Sequence, residues 1–377
     1  MNRAEAIIDL NALEKNVKRL LSGTSAAGLA VVKADAYGHG LLPIAERAVA
    51  AGAKWVGTAL LEESIKLRHG GIKTPIIAWL TPIYDDFENA LRNQIDLAIP
   101  SLDHLAAVLK ASEVTKEVPR IHLEVDTGMT RGGALGEWRS LLHATGDLVK
   151  TNRIKVIGIW SHFARADEPG HAFNEEQIKN FEERVSEAEG YGIKPELLHL
   201  SNSAATLVNK RAHYDLVRMG IAMYGLSPDV TAMGDSAKLD LQPVMSLRSQ
   251  LHLVKDVPAG VQVGYGGTAI TREATKVGVI TMGYADGVPR NANATAGVLV
   301  GNKKAPILGR VSMDQFVVDL GNNSIARAGD SAYLIGSAVG EAGVGGYTAD
   351  AWGQASGTIN YEIVTRIGPR VPRIYIN

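Results

Sequence analysis

Residues 120–131 read Arg120-Ile121-His122-Leu123-Glu124-Val125-Asp126-Thr127-Gly128-Met129-Thr130-Arg131. The stretch alternates: Ile121, Leu123 and Val125 share one face of an extended chain, and His122, Glu124 and Asp126 share the other. This predicts a strand with an apolar outer face and a charged inner one, ending at a Thr-Gly turn. Buried charges need partners, and Arg131, just past the strand, is the nearest. Outward from this strand, similar short apolar runs recur: Leu29 to Val32, Trp55 to Ala59, Pro75 to Leu80, Asp96 to Ile99, Val156 to Trp160, Leu197 to Leu200 and Leu216 to Ile221. Helical patterns such as Leu41 to Ala51, Leu102 to Ala111 and Phe173 to Glu189 lie between them. About eight β-α units in succession predict an α/β fold, a closed (β/α)8 TIM barrel, with a doubly wound open sheet as the alternative that counting leaves open.

Near Leu226 the rhythm changes. Ser227-Pro228 opens an irregular stretch, and from Leu241 strands follow one another through turns such as Pro258-Ala259-Gly260, without a long helix. The expected division is an amino-terminal strand over residues 1–10 that associates with a β domain, a barrel over 11–238, and a carboxyl-terminal, mainly β domain over 239–377. The chain has 377 residues, 39 Lys plus Arg against 40 Asp plus Glu, 46% hydrophobic residues and no cysteine. That balance gives no basic field for nucleic acid or an anionic membrane, and it excludes disulfides and thiolate chemistry. The first ten residues lack a signal-peptide core and no run has the length of a membrane span, so a cytoplasmic protein with small-molecule partners is expected.

Chemistry in such a barrel sits where strands end. The first barrel strand ends in Val31-Val32-Lys33-Ala34-Asp35-Ala36-Tyr37-Gly38-His39-Gly40. A lysine there is partly desolvated and available as a base or Schiff-base nucleophile, unless it snorkels or pairs with Asp35. Glu124 and Asp126 on a barrel also invite a glycosidase reading, but they are adjacent on one strand and aromatics are only 6% of the chain. Ser203, followed by small residues, looks like a helix N-cap near Gly220, a possible anion site or an ordinary cap with a packing glycine. HExxH, GxxxxGK[ST] and GxSxG are all missing, and no metal site is expected.

The Lys33 segment closely resembles the pyridoxal-phosphate attachment site of alanine racemases. Further matches follow in the family's order: Asp126-Thr127-Gly128-Met129, Ser161-His162-Phe163-Ala164, Asn202-Ser203-Ala204, Arg218-Met219-Gly220-Ile221, Gly264-Tyr265-Gly266, Gly283-Tyr284-Ala285-Asp286-Gly287, Gly309-Arg310-Val311-Ser312-Met313-Asp314-Gln315 and Ile359-Asn360-Tyr361-Glu362. The resemblance covers essentially the whole chain. It implies pyridoxal 5'-phosphate as cofactor, a homodimer with shared active sites, and interconversion of L- and D-alanine that supplies D-alanine for peptidoglycan. A broader racemase, acting also on serine, is the alternative. It assigns Lys33 and the partner's Tyr265 as the two bases. Tyr37, His162, Asn202, Ser203, Arg218, Gly220, Ile221 and Tyr361 go to the cofactor, Arg131 and Met313 to the substrate, and Asp314 to a supporting role. Asp167, Tyr284, Arg290 and Arg310 fall at an access channel. Glu124 stands where many relatives carry a lysine in a modified, anionic form, which implies a direct Glu124 to Arg131 ion pair.

Overall fold

The apolar outer faces of the barrel strands are buried to completion: Val56, Ile76, Leu97, Ile121, Leu123, Ile159 and Val217 have no exposed surface. In the computed structural model, which describes residues 2–337 and 345–377, the chain divides into two compact units. One comprises Leu13–Ala36 and Leu41–Gln242, and the other Met1–Ala12, Tyr37–Gly40 and Pro243–Asn377.

The first unit is the barrel. Strands β2 (Ala27–Val31), β3 (Trp55–Thr58), β4 (Ile76–Ala78), β5 (Ile95–Ile99), β6 (Arg120–Glu124), β7 (Lys155–Trp160), β8 (Leu197–His199) and β9 (Leu216–Met219) pair in parallel in the order β8-β7-β6-β5-β4-β3-β2-β9. Parallel pairing demands crossovers, and helices supply them: Leu41–Ala50, Leu61–His69, Leu102–Thr115 and Ala172–Gly190 among others. At the seam between β8 and β9 the Arg218 amide donates to the Ser201 carbonyl (3.2 Å) and the Asp215 amide to the Leu198 carbonyl (3.1 Å), which brings the sheet round to near closure. The (β/α)8 barrel is therefore present and the open-sheet alternative is not.

The barrel interior holds rings and charges beside the branched aliphatics Leu29, Val31 and Ile77 that such barrels ordinarily carry. Trp55, His122, Trp160 and His199 pack edge-on or stacked against one another, with ring centroids 5.1–5.6 Å apart. Glycine makes the room: a Cβ on Gly158 of β7 would lie 2.3 Å from Nδ1 of His122, and the β6–β7 register shifts between Ile121 and His122.

The second unit is mainly β. Its strands are β1 (Ala4–Asp9), β10 (Met245–Val257), β11 (Gln262–Val263), β12 (Ala269–Ile270), β13 (Thr275–Ile280), β14 (Gly297–Val300), β15 (Lys303–Pro306), β16 (Phe316–Asp319), β17 (Ser331–Ile335) and β18 (Arg373–Ile376). β1 lies between β10, antiparallel, and β18, parallel. Its inward residues Ala4, Ala6 and Ile8 are buried, while Glu5 pairs with Arg248 across the strand pair. Two short helices, Ala349–Ala355 and Asn360–Thr365, complete the unit, with Trp352 edge-on to Phe316 and donating from Nε1 to the Leu334 carbonyl at 2.7 Å. Among the described residues no helix is long and apolar enough to cross a membrane, and no group of His, Cys, Asp and Glu could hold a metal ion.

Because Ile8 is fully buried, Ile8→Ala should lower stability by roughly 2–5 kcal/mol through the lost apolar contact and the cavity left behind. The measurement is a urea unfolding curve with unchanged slope and a lower midpoint. A midpoint within error of the wild type would mean that β1 contributes little to its sheet.

Candidate active site

Lys33 directly follows β2 and Val32, whose amide is held by the Gly57 carbonyl at 2.8 Å, and the buried Tyr224 hydroxyl donates to the Val31 carbonyl at 2.9 Å. Beyond Lys33 the backbone enters the left-handed region for four successive residues, Ala34 (φ 53°), Asp35 (φ 52°), Ala36 (φ 54°) and Tyr37 (φ 54°). Each such residue costs on the order of 1–2 kcal/mol. The turn persists because neighbours fix it from several sides. The buried Glu63 accepts from the Asp35 amide and, with its other oxygen, from the Leu60 amide, both at 3.3 Å. Asp35 Oδ1 in turn accepts from the Leu41 amide at 2.8 Å, so its carboxylate serves that turn, and no ion pair joins it to Lys33 among the described residues. Burial lowers the Lys33 pKa, the cations Arg131 and Arg218 lower it further, and Glu63 acts in the opposite sense.

Arg218 on β9 is the buried cation of the site, only 5% exposed. Nη1 donates to the His199 carbonyl (3.0 Å) and lies 3.4 Å from His199 Nδ1. Nη2 donates to the carbonyls of Ser161 (2.9 Å) and Leu200 (3.1 Å) and to His162 Nδ1 (2.9 Å). The guanidinium carbon stands 5.1 Å over the Trp160 ring. Nε has no partner among the described residues, so one edge of the cation remains free for a ligand. Burial brings the Arg218 pKa down to about 9, opposed by the nearby Glu124. His162 is held well below its ordinary value by burial and then by Arg218, Arg131 and Lys33. It is therefore a neutral ring with its proton on Nε2, since Nδ1 must accept from the arginine.

Three expectations need correction. Asn202, not Ser203, caps helix Ser203–Val208: its side chain accepts from the Ala205 amide at 3.1 Å. Ser203 Oγ accepts instead from the amides of Gly220 (2.8 Å) and Ala222 (3.2 Å), while the Ile221 amide has no acceptor among the described residues. Second, Arg131 is not the partner of Glu124: no ion pair or hydrogen bond joins them, and Arg131 is exposed. The cause is the turn. Asp126 Oδ1 accepts from the amides of Gly128, Met129 and Thr130 at 2.8–3.2 Å, Thr130 takes φ 57°, and the chain returns with Gly132 against Glu124, where a Cβ would lie 2.7 Å from Oε1. Third, for the same reason Asp126 is satisfied by amides rather than by Arg131. With no direct partner, Glu124 is pushed up to about 7, chiefly by burial and against the pull of Arg218 and Arg131.

Of the remaining residues singled out from sequence, Asp167 lies on the loop after β7, where Arg165 pairs with Glu168 at 2.7 Å. The other unit carries Tyr37 and Tyr361 as a tilted ring pair with centroids 6.3 Å apart, Arg310 close to Gly266, and Asp314 paired with Arg370 at 2.7 Å. Tyr265 is 70% exposed and Met313 54%; Tyr284, Arg290 and Arg310 are exposed too. Sequence reasoning missed Glu63, Asp96 and Gln177. Gln177, fully buried, donates to Thr127 Oγ1 and to the His162 carbonyl, both at 3.1 Å, and so fixes the loop that carries His162. Asp96 left one legible sign, a lone charge inside the apolar run Ile95-Asp96-Leu97-Ala98-Ile99.

The alanine racemase N-terminal domain family model matches residues 8–228, and the C-terminal domain model residues 244–375. Alanine racemase from Salinispora tropica is 44% identical over 377 residues, covering 100% of this chain and 99% of the relative. The crystal structure of alanine racemase from D-cycloserine producing Streptomyces lavendulae superposes with a TM-score of 0.95 at 44% identity, covering 100% of this chain and 98% of that one. The Bacillus anthracis alanine racemase structure with bound L-Ala-P gives 0.88 at 33% identity, covering 100% and 96%.

The raised Glu124 pKa carries a sign. Between the ordinary carboxylate range and about 7 the folded chain holds a proton that the unfolded chain releases, so stability falls as pH rises through that window. Glu124→Gln removes this loss, and its stability relative to wild type should rise by roughly 1–3 kcal/mol between about pH 5 and pH 8.5 in urea titrations. A pH-independent difference would contradict the burial of this carboxyl.

Proposed function

The chain belongs to the alanine racemase family, and from that membership we propose that it interconverts L- and D-alanine with pyridoxal 5'-phosphate bound at Lys33. The observation that carries the reading is the half-buried Lys33 at the end of β2, its pKa lowered, in the same electrostatic environment as Arg218 with its free Nε. These residues suit the cofactor: a nucleophilic amine for its aldehyde, a cation edge for its ring nitrogen, and Ser203 with the Gly220 and Ile221 amides, beside the Asn202 cap, for an anion. Once bound, the cofactor supplies an electron sink for the pair left when the α-proton departs.

The chain's own residues do the rest. Lys33 Nζ, its charge disfavoured by burial, takes or returns the proton on one face. A guanidinium is a poor proton donor, so Arg218 would hold the cofactor's ring nitrogen by a hydrogen bond rather than protonate it, which would keep the electron sink moderate. The opposite face needs a second base. Tyr265 fills this role from the partner subunit in a homodimer, a reading supported by the exposure of Tyr265 and Met313 in the single chain. The neutral His162, with its proton on Nε2, would donate to that phenolate. Arg131 and the Met313 amide of the partner subunit bind the substrate carboxylate; Asp314, paired with Arg370, supports that loop. Tyr37 and Tyr361 keep the roles that the resemblance gives them, and Asp167, Tyr284, Arg290 and Arg310 belong to the access channel. The product is D-alanine for peptidoglycan, made in the cytoplasm.

Chiral chromatography of L-alanine incubated with purified protein and pyridoxal phosphate tests the activity. Both enantiomers should approach equal amounts, and absence of D-alanine would refute it. For the shared site, inactive Lys33→Ala and Tyr265→Phe dimers, dissociated and remixed, should regain about a quarter of their sites through random pairing in a two-fold dimer. No recovery, with heterodimers confirmed by native mass spectrometry, would place both bases on one chain.

A further inference from the structure

From Arg218 a line of polar side chains crosses the barrel interior. Arg120 grips Asp96 with two bonds, Nε to Oδ1 at 2.8 Å and Nη2 to Oδ2 at 3.0 Å. Asp96 Oδ2 is 3.4 Å from His122 Nε2, His122 Nδ1 is 3.0 Å from His199 Nε2, and His199 Nδ1 is 3.4 Å from Arg218 Nη1. The line steps from β5 to β6, β8 and β9, and Asp96, His122 and His199 are each no more than 1% exposed.

The end groups fix its direction. A guanidinium only donates, so His199 Nδ1 accepts and the ring proton sits on Nε2. That N–H is directed at His122 Nδ1, which must therefore accept, and the His122 proton sits on Nε2 facing the carboxylate. Both rings are neutral and share one tautomer. A second proton on His199 would set N–H against the arginine, and a second proton on His122 would set N–H against N–H. Burial agrees with this for His199, whose pKa is held well below its ordinary value. Among the described residues the other titratable or charged groups that act on the line do so at its two ends: Lys33, Glu124 and His162 at Arg218, and Arg68 and Glu196 at the Asp96–Arg120 pair.

The rings have little freedom to leave this arrangement. Trp55 stands edge-on to His122, Trp160 lies flat on His199 with an interplanar angle of 3°, and Gly158 opens the space that the His122 ring occupies.

We propose that Asp96 and His122 are positioning residues for Arg218: the ionised carboxylate, acting through two neutral imidazoles, keeps His199 Nδ1 an acceptor and holds the guanidinium with Nε turned to the cofactor ring. The functional half of this rests on the reading of Arg218 above. The tautomers do not.

Two variants separate the relay from simple packing. His122→Phe keeps a ring and the Arg120–Asp96 pair but ends the relay, and Gly158→Ala displaces the same imidazole without altering any titratable group. Long-range 1H–15N spectra of the histidine-labelled holoenzyme should show His122 and His199 as Nε2–H tautomers throughout about pH 6 to 9. In either variant His199 should lose its single tautomer, and kcat for L-alanine should fall about tenfold to a hundredfold with KM within about twofold, as for a group misplaced beside the reacting atoms. A charged ring or an Nδ1–H His199 in the wild type overturns the relay, and so does wild-type kcat in both variants. Should His122→Phe fail to fold, Gly158→Ala and the wild-type spectrum decide. If the wild type proves to have no racemase activity, the proposed function fails and the tautomer pattern alone judges the relay.

Discussion

Burying a guanidinium is the constraint from which the barrel interior follows. Arg218 is 95% removed from solvent, and a cation in that position is tolerated only if its donors are met. Four of the acceptors come from the segments that end β7 and β8: the carbonyls of Ser161, His199 and Leu200, and His162 Nδ1. The end of β8 lies at the seam with β9, so part of the backbone that closes the sheet also grips the cation. The His199 ring and its relay to Asp96 extend the grip, and Trp160 covers the guanidinium face.

A polar interior has a structural cost. Rings and charges take up part of the interior that branched aliphatics usually fill, leaving Leu29, Val31 and Ile77 as its apolar share, and the buried outer faces of the strands supply much of the remaining apolar burial. Two consequences reach Lys33. Its charge is disfavoured by burial and by the neighbouring arginines, and its backbone is set by a left-handed turn that Glu63 holds in place. Strain of this sort survives only where the surroundings fix it, and it gathers at working sites. Glu124 extends the pattern, a carboxyl left without a direct partner so that its charge answers to pH near neutrality.

The barrel was legible because its signal is periodic. The run Ile121-Leu123-Val125 and its seven counterparts are short, apolar and separated by helical spacing, and each became a strand of the parallel sheet. Single side-chain partnerships were not legible. Alternation put His122 and Glu124 on the inner face, but it could not show that Asp126 would spend its carboxylate on three amides and turn Arg131 away. Nor could it distinguish Asn202 from Ser203 as a cap, since both residue types favour that position. Asp96 and Glu63 escaped notice because each meets its partners from other strands or turns, 24 to 28 residues distant for Arg120 and Asp35, and no local pattern encodes such a meeting.

The proposed chemistry depends on Lys33 carrying the cofactor. Borohydride reduction of the protein loaded with pyridoxal phosphate, followed by peptide mass spectrometry, addresses this directly. The stable pyridoxyl label should lie on the peptide containing Val32-Lys33-Ala34, at one label per chain. A label on another lysine, or none after reduction, would contradict it.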